Sequence, residues 1–489
     1  MAEEVNKSDG KLGLLPLTAL VVSALIAAGV FSLPQNMAAK AGAGAILIVW
    51  TITGLGMLAL VLVFQNLANR KSDIDGGVYG YARQGFGDYW GFNSAWGYWI
   101  SAWLGNVSYY IVIFSTLGSL FGLTWLEKGL TWEAIAIESV ILWLIYLLIC
   151  AGVQGAAFLN LIGTIAKAVP LFLFVILVTM AFNLDTFKID FWNVSLVTDG
   201  QSTDLSVLEQ VKSTMLVTTW VFIGIEGAVM FSDRARNKSD VGKATIIGYV
   251  VSLLLFVAVS ILSLGVLAQP ELATLPDTST ADVLKAALGG KTWGATLMYI
   301  GLIISVGTSL IAWTLLCAQS AYSAGKDGTM PKFLGKVNKN NSPKNALLLT
   351  TVLTQVFLLI AFFAGQGYLD MLLFATTMIL IPYLLSGLFG LKIAFNKDGY
   401  LPDEVSRAKR DVIIGAIASV YGVWLLYAAG LDSILVSMTV YAFGIIMYVW
   451  ARREQGKRLF SPIELAAAVV IILLGLIGAY KLMFGSVQF

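Results

Sequence analysis

The 489-residue sequence contains no histidine and only two cysteines, Cys150 and Cys317. Without histidine, any proton transfer by this chain must use carboxylates or a lysine. The two cysteines lie inside apolar runs or at their ends and match neither a disulfide framework nor a metal-ligand spacing, so we expect no metal and no cofactor. Charged residues are also scarce, at 12% against 58% hydrophobic residues, which excludes an ordinary soluble domain.

Long apolar runs dominate the sequence instead. A run of about 20 such residues matches the ~30 Å hydrocarbon core of a bilayer at 1.5 Å per residue. The sequence therefore predicts an all-α integral membrane protein that forms one membrane domain. We expect thirteen spans, at 14–39, 45–65, 91–121, 132–150, 156–182, 213–232, 244–268, 293–323, 346–364, 369–391, 412–429, 434–450 and 463–484.

The charges between these spans predict their orientation. We expect residues 1–13 to be a cytoplasmic tail, with no removable signal peptide, because no small-residue cleavage site follows the first apolar run. With this tail inside, 23 of the 31 Lys and Arg residues fall in cytoplasmic segments and 7 in external ones, and Lys167 lies within a span. This asymmetry follows the positive-inside rule and predicts an external C-terminus. Whether the thirteenth run crosses the membrane is the least constrained part of this topology.

Two of the predicted external segments, 183–208 and 269–290, are mildly acidic. The simplest interpretation is a solvated loop surface. The alternative is a weak attraction of cationic solutes, limited by salt screening over about 8 Å.

Two of the predicted spans contain small residues that interrupt the apolar pattern. The first includes Ala27, Ala28 and Gly29, and the sixth includes Gly224 and Gly227 on either side of a carboxylate. Five spans separate the start of one unit from the next, so the two units insert with opposite orientations. This pattern is typical of a 5+5 inverted-repeat transporter with discontinuous helices 1 and 6. The predicted units are 14–182, 213–391 and additional C-terminal helices in 412–489.

Two charges lie deep within predicted spans. A carboxylate at the depth of Glu226 costs at least ~2.5 kcal/mol on insertion scales, so we expect a functional role, with a structural hydrogen bond as the alternative. Lys167 has three possible roles: a fixed cation that ties the fifth span to carbonyls of a broken helix, a titrating proton site, or a snorkelling side chain.

Two tryptophans lie away from the predicted membrane interfaces. Trp220 precedes Glu226 by six residues, and Trp313 lies in the middle of the eighth span. An indole face binds a cation with up to ~2 kcal/mol when dry. Both are candidates for the walls of a site, and ordinary core packing is the alternative.

Several stretches resemble motifs of the amino acid, polyamine and organocation transporter superfamily, and within it the basic amino acid and polyamine antiporters. The similarity is closest to the arginine/ornithine antiporters and covers most of the chain. The segment 23–31 resembles the glycine box of the first helix, and 222–226 resembles the motif of the sixth. Residues 76–79 and 326–331 are similar to the loops after helices two and eight.

The resemblance implies roles for individual residues. Backbone groups of the first break would hold the substrate carboxylate, carbonyls of the sixth helix would accept from its amine, and Trp220 and Trp313 would flank it. The implied substrate-binding residues are Ala27, Ala28, Gly29, Asn106, Trp220, Ile223, Gly224, Glu226, Trp313 and Ala375, and the implied inner gate is Tyr98, Glu226 and Tyr383.

The sequence departs from the family pattern at two of these positions. Ala27 and Ala28 replace the Gly-Ser of the common Gly-Ser-Gly box, which removes a hydroxyl contact to the carboxylate. Ala375 stands where a small polar residue is common, so a polar contact to the substrate side chain is also missing.

The resemblance implies a secondary antiporter of the bacterial plasma membrane that exchanges arginine for ornithine, acting as a monomer or homodimer in the lipid bilayer with no nucleic-acid partner. The alternatives are a histidine/histamine or other amino acid/amine antiporter and a proton-coupled amino acid permease. An intramembrane enzyme or a non-transporting receptor would belong to another class, and the sequence shows no nucleophile–base pair for the former.

Overall fold

The computed structural model describes residues 13–71, 74, 76–126, 128–152, 156–192, 194–198, 201–226 and 238–484. These residues are almost entirely helical, with one β-hairpin between β1 (Val194–Thr198) and β2 (Gln201–Leu205). The helices in chain order are α1 Leu14–Leu25, α2 Gly29–Ala38, α3 Ala43–Arg70, α4 Val78–Phe86, α5 Asp88–Phe121, α6 Trp132–Cys150, α7 Ala156–Ala181, α8 Leu184–Lys188, α9 Val207–Trp220, α10 Lys238–Ser263, α11 Gln269–Ala273, α12 Ser279–Ala287, α13 Trp293–Lys326, α14 Lys344–Ala364, α15 Tyr368–Phe395, α16 Val405–Glu454 and α17 Pro462–Met483.

Many of these helices are long and apolar enough to cross a membrane. Ten qualify singly within the described residues, and the pair α1 and α2, bent by 48° at its break, makes up to eleven. The prediction of an all-helical membrane protein is confirmed. The predicted number of thirteen spans is not reproduced by this count.

The difference in number arises at two places. α16 has 50 residues and would extend about 75 Å, more than twice the ~30 Å core, so it is long enough for the two predicted spans 412–429 and 434–450. Gly430 interrupts it with φ 80° and ψ 159°, which is a non-helical conformation. α9 has only 14 residues, and the end of the sixth predicted span lies outside the described residues.

Burial separates the central helices from the peripheral ones. In α5 and α15, 72% and 78% of the most apolar 18-residue window is buried, whereas the share is 17% in α17 and 28% in α7. An apolar surface facing lipid does not need a protein partner, so the low burial of α17 and α7 is consistent with lipid contact. α5 and α15 therefore form the centre around which the two broken segments are arranged.

The segment that contains α11 and α12 packs over the end of α2. Gln269 Nε2 donates to the Ala38 carbonyl oxygen at 2.6 Å, and Thr280 Oγ1 donates to the Phe31 carbonyl oxygen at 3.0 Å. The Ala38 bond satisfies one of the C-terminal carbonyls that α2 leaves without an intrahelical partner, and the Phe31 bond attaches α12 to the first turn of α2. They fix the second half of the first broken segment against the rest of the fold.

Candidate functional site

A cavity lies where the two broken segments face each other and α5. Its empty volume is about 410 Å³, counted out to its opening. Six of the residues selected from the sequence contribute to its wall. The lining residues are Ala24, Leu25, Ala27, Gly29, Ser101, Ala102, Gly105, Asn106, Tyr109, Trp220, Val221, Ile223 and Trp313.

The indole of Trp220 lines this cavity, and two glycines make room for it. A Cβ atom added to Gly105 would lie 2.7 Å from Trp220 Cη2, and one added to Gly29 would lie 3.0 Å from Trp220 Cδ1. The ring of Tyr109 meets the indole edge to face, with 6.2 Å between centroids. The glycines thus set how closely α2 and α5 approach the ring, as small residues do between membrane helices.

The break between α1 and α2 brings opposite helix ends together. α1 ends at Leu25, and Ile26 is extended with φ −82° and ψ 101°. Lys167 on α7 is buried, and its Nζ donates to the carbonyl oxygens of Ser23 at 2.7 Å and Ile26 at 2.8 Å. A cation is favoured at a helix C-terminus, where the last carbonyls have no intrahelical partner. The contact places Lys167 against the broken helix, as the first of its three predicted roles requires.

The N-terminus of α2 faces the cavity from the other side of the break. Gly29 begins α2, and both Gly29 and Ala27 line the cavity. Ala28 is completely buried and does not line it. The first N–H groups of a helix have no intrahelical acceptor and carry a partial positive charge, so this end can bind a carboxylate.

α5 contributes a polar stripe to the cavity. Asn106 Nδ2 donates to Thr314 Oγ1 at 3.2 Å, while its Oδ1 has no hydrogen-bond partner in the described part of the chain. Ser101 Oγ is also buried without such a partner. Buried polar atoms are normally paired, so these two oxygens are available to a ligand or to water.

From this helix, sequence reasoning selected Asn106 for the substrate site and Tyr98 for the gate, but none of Ser101, Gly105 and Tyr109. Ser101, Gly105 and Tyr109 follow each other at intervals of four residues, which places them on one helix face. This four-residue spacing, next to Asn106, is the only sequence signal that could have indicated these three residues. It is weak, because small and aromatic residues are common in membrane helices.

The second break closes the cavity opposite α2. α9 ends at Trp220, and Gly224 has φ +104°, a conformation that favours glycine. A Cβ on Gly224 would lie 3.1 Å from Trp313 Cζ2 and 3.8 Å from the Ala24 carbonyl oxygen. Gly224 therefore brings the backbone of the second break against both Trp313 and α1. Gly227 lies outside the described residues.

Glu226 lies buried beyond the cavity lining. Its Oε2 accepts a 2.7 Å hydrogen bond from the Tyr383 hydroxyl and a 3.2 Å bond from the Gly224 N–H. Tyr98 is in electrostatic contact with the same carboxylate, while Oε1 accepts no hydrogen bond within the described residues. The three residues named as an inner gate are thus neighbours in space.

Ala375 takes a different position from the other selected residues. It is fully buried on α15 and does not line this cavity. Among the described residues there is also no group of three or more Cys, Asp or Glu side chains that could hold a metal ion.

Comparison with known proteins shows the family to which the chain belongs. The amino acid permease family model matches residues 12–450. The chain is 50% identical to an arginine/ornithine antiporter of Pseudomonas aeruginosa over 98% of both chains. It is 40% identical to an L-lysine transport protein of Corynebacterium glutamicum, over 96% of this chain and 95% of the relative, and 40% identical to an arginine/agmatine antiporter of Chlamydia caviae, over 97% of both. This protein is a multi-pass membrane transporter that belongs to the amino acid permease family of the amino acid, polyamine and organocation superfamily.

Proposed function

We propose that this protein exchanges external arginine for internal ornithine by alternating access. The observation that carries the proposal is the cavity between the two breaks, which is lined by the N-terminus of α2 and by two indoles and has a buried carboxylate nearby. That arrangement complements a solute with a carboxylate at one end and a cation at the other. The Pseudomonas aeruginosa relative is an arginine/ornithine antiporter, which supports the choice of arginine and ornithine.

The substrate carboxylate binds the backbone at Ala27, Ala28 and Gly29. With alanines at the first two positions, backbone N–H groups are the donors there. The α-amine binds carbonyls of Ile223 and Gly224, which lie in a turn after α9.

The side chain of the substrate extends along the α5 wall. Asn106 Oδ1, which has no partner within the described residues, accepts a hydrogen bond from the guanidinium or ammonium group. The faces of Trp220 and Trp313 stabilise the cation, and Ala375 gives this end of the substrate an apolar neighbour when the site closes around it.

Glu226 senses the positive charge of the substrate. Its carboxylate accepts a hydrogen bond from Tyr383 and has Tyr98 beside it. A cation that reaches Oε1 would compete for this carboxylate and loosen the contact between the second break and α15. We infer that this exchange of partners opens the inner gate.

The remaining topology is part of the same proposal. Residues 14–182 and 213–391 form two inverted five-helix repeats, and 412–489 adds further helices to give thirteen spans. Residues 1–13 are cytoplasmic and the C-terminus is external. The protein works in a bacterial plasma membrane as a monomer or homodimer.

Trans-stimulation tests the proposal. Proteoliposomes loaded with ornithine should take up labelled arginine much faster than empty ones. Equal uptake into both would exclude strict exchange and favour the proton-coupled permease.

A second candidate is exchange of arginine for a decarboxylated amine, which the arginine/agmatine relative suggests. Arginine-for-ornithine exchange is electroneutral, whereas exchange for the amine moves one net charge, worth ~2.3 kcal/mol per 100 mV. A membrane potential imposed with potassium and valinomycin should therefore change the second reaction but not the first. A competition panel that includes lysine, histidine and histamine separates the other amino acid/amine exchangers.

A further inference from the structure

A second buried glutamate lies on a membrane-spanning helix, apart from the substrate cavity. Glu138 on α6 is 0% exposed, and neither of its side-chain oxygens has a hydrogen-bond partner within the described residues. It does not line the cavity between the breaks. Polar atoms buried in a protein are normally paired, and an ionisable side chain within a membrane span is a candidate for function. The binding capacity of this side chain is therefore unused by the interactions described so far.

Glu138 faces the protein interior and not the lipid. The buried residues of α6 recur at intervals of three or four, which places them on one face of the helix. Ile135, Leu142, Ile145 and Ile149 share this face with Glu138. The other face carries exposed aliphatic side chains, as expected for contact with lipid. The carboxyl group is thus surrounded mainly by hydrocarbon.

α5 brings a hydroxyl group to the same level. The chain turns back between α5 and α6, and Phe114 packs in one cluster with Ala134 in the first turn of α6. Tyr110 lies one turn before Phe114, and Glu138 lies one turn after Ala134, so helical periodicity places the two side chains side by side. An electrostatic interaction between Tyr110 and Glu138 agrees with this placement. The Tyr110 hydroxyl is also buried without a hydrogen-bond partner among the described residues.

Two neighbouring segments close this place from water. Gly129, in the loop before α6, has φ +63°, and a Cβ atom there would collide with the backbone of Ile111 on α5. The loop therefore lies directly on α5. On another side, Gln355 Nε2 of α14 donates to Ser139 Oγ at 2.8 Å and ties α14 to α6 next to Glu138.

The described elements around Glu138 supply no buried counter-charge. Lys344, the first residue of α14, is the charged residue of that helix. Lys128 in the loop and Glu133 in the first turn of α6 are exposed. From α5, the titratable group that faces Glu138 is Tyr110. Burying an ionised carboxylate without a counter-charge costs far more than burying the neutral acid, so a proton is the ligand that this environment favours.

We propose that Glu138 is a proton-binding site and that its carboxylic acid form holds α6 against α5. α5 also supplies Asn106 and Tyr109 to the wall of the substrate cavity, so loss of this proton disturbs that wall from behind. The proton regulates transport and is not one of the exchanged solutes. The inference thus goes beyond the proposed exchange and does not depend on which amino acids are exchanged.

Infrared spectroscopy of the purified full-length protein in lipid tests whether the proton is present. At about pH 7, the wild type should show the carbonyl stretch of a protonated carboxylic acid that Glu138→Gln lacks, whereas an ordinary glutamate is ionised at that pH. Glu133→Gln, on the exposed face of the same helix, is the matched control and should keep this band. A loss of carboxylate bands alone in Glu138→Gln would show that Glu138 is ionised and overturn the site.

Thermal unfolding at different pH values measures the same proton by linkage. The folded wild type holds a proton that the unfolded chain releases above about pH 5. Raising the pH to about 8 should therefore destabilise the wild type relative to Glu138→Gln, by about tenfold in the unfolding equilibrium per pH unit. Glu133→Gln should follow the wild type throughout. If Glu138→Gln does not fold, Glu138→Leu replaces it in both experiments, since leucine has no proton to lose. A difference in unfolding temperature that does not change with pH overturns the proton site.

Exchange in proteoliposomes tests the link to the cavity wall. Raising the pH on both sides from about 7 to about 9 should slow labelled arginine exchange more in the wild type than in Glu138→Gln, because only the wild type loses the proton. Equal slowing in both would overturn the regulatory role. Absence of any arginine exchange by the wild type would instead overturn the proposed function, and the infrared and unfolding measurements would still decide the proton site.

Discussion

The ammonium of Lys167 lies 2.8 Å from the carbonyl oxygen of Ile26, at the point where the first broken segment leaves its helical path. The same ammonium also binds the Ser23 carbonyl. We propose that Lys167 neutralises the negative end of α1, so that the positive end of α2 remains directed at the cavity. In this proposal the pairing makes the site favour a substrate carboxylate at the α2 end.

Lys167→Met should therefore unfold at lower temperature and lose most exchange. The substitution leaves two buried carbonyls without a donor, each at a cost of about 1–3 kcal/mol. Thermal unfolding of the detergent-purified protein and arginine exchange provide the two readouts. Lys188→Met removes an exposed lysine and serves as the control. Equal stability of the two variants would show that the Lys167 contacts contribute little.

Wild-type exchange should not depend on sodium. The Lys167 ammonium already occupies the carbonyls at the end of α1, so a monovalent cation is not needed there. Replacing sodium with choline on both sides should leave the rate of arginine exchange unchanged. A loss of exchange in choline would show that transport needs bound sodium. It would contradict the role of Lys167 as the fixed cation at the end of α1.

Gly105→Ala should weaken substrate binding by displacing the Trp220 indole. The added methyl would lie 2.7 Å from Cη2, and overpacking of this kind costs about 1–3 kcal/mol. We expect KM for arginine to rise about tenfold or more. Gly307→Ala is the matched control, because a Cβ at that helical position has no neighbour within 4 Å. A similar KM for arginine in both variants would show that the position of the Trp220 indole does not determine the affinity.

Glu226→Gln should abolish or strongly slow exchange, since the amide has no negative charge with which to sense the substrate. Tyr383→Phe keeps this charge and removes one donor, so its exchange rate should fall less, by about tenfold. Single-turnover exchange at saturating arginine measures both. Tyr480→Phe, on the exposed face of α17, is the control. Wild-type turnover in Glu226→Gln would remove Glu226 from the mechanism.

The parts of the site that sequence reasoning found are those that break a strong pattern. Glu226 and Lys167 stand out because a charge in an apolar run needs a partner, and both partners are visible in the structure. Trp220 was selected as a tryptophan away from the predicted membrane interfaces, and it does line the cavity. Tyr98 and Tyr383 could be named only through the family resemblance.

Other residues of the site could not be predicted, because packing between segments far apart in the sequence brings them together. The buried oxygens of Ser101 and Asn106 stand out because neither has a hydrogen-bond partner within the described residues, which is a property of the assembled cavity.

The number of spans depends on how α16 is divided. Hydropathy predicts two runs there, and the non-helical conformation of Gly430 lies between them. Hydropathy cannot show that α9 ends at Trp220, because the apolar residues after it continue through the break.

The central claim is one-for-one exchange of arginine and ornithine through the cavity between the breaks. The most direct measurement loads proteoliposomes with tritiated ornithine, adds carbon-14 arginine outside, and follows both labels in the same sample. The account predicts that each arginine entering is matched by one ornithine leaving, and that neither label moves without the partner solute. Arginine entry without ornithine exit, or ornithine exit into a medium without arginine, would contradict it.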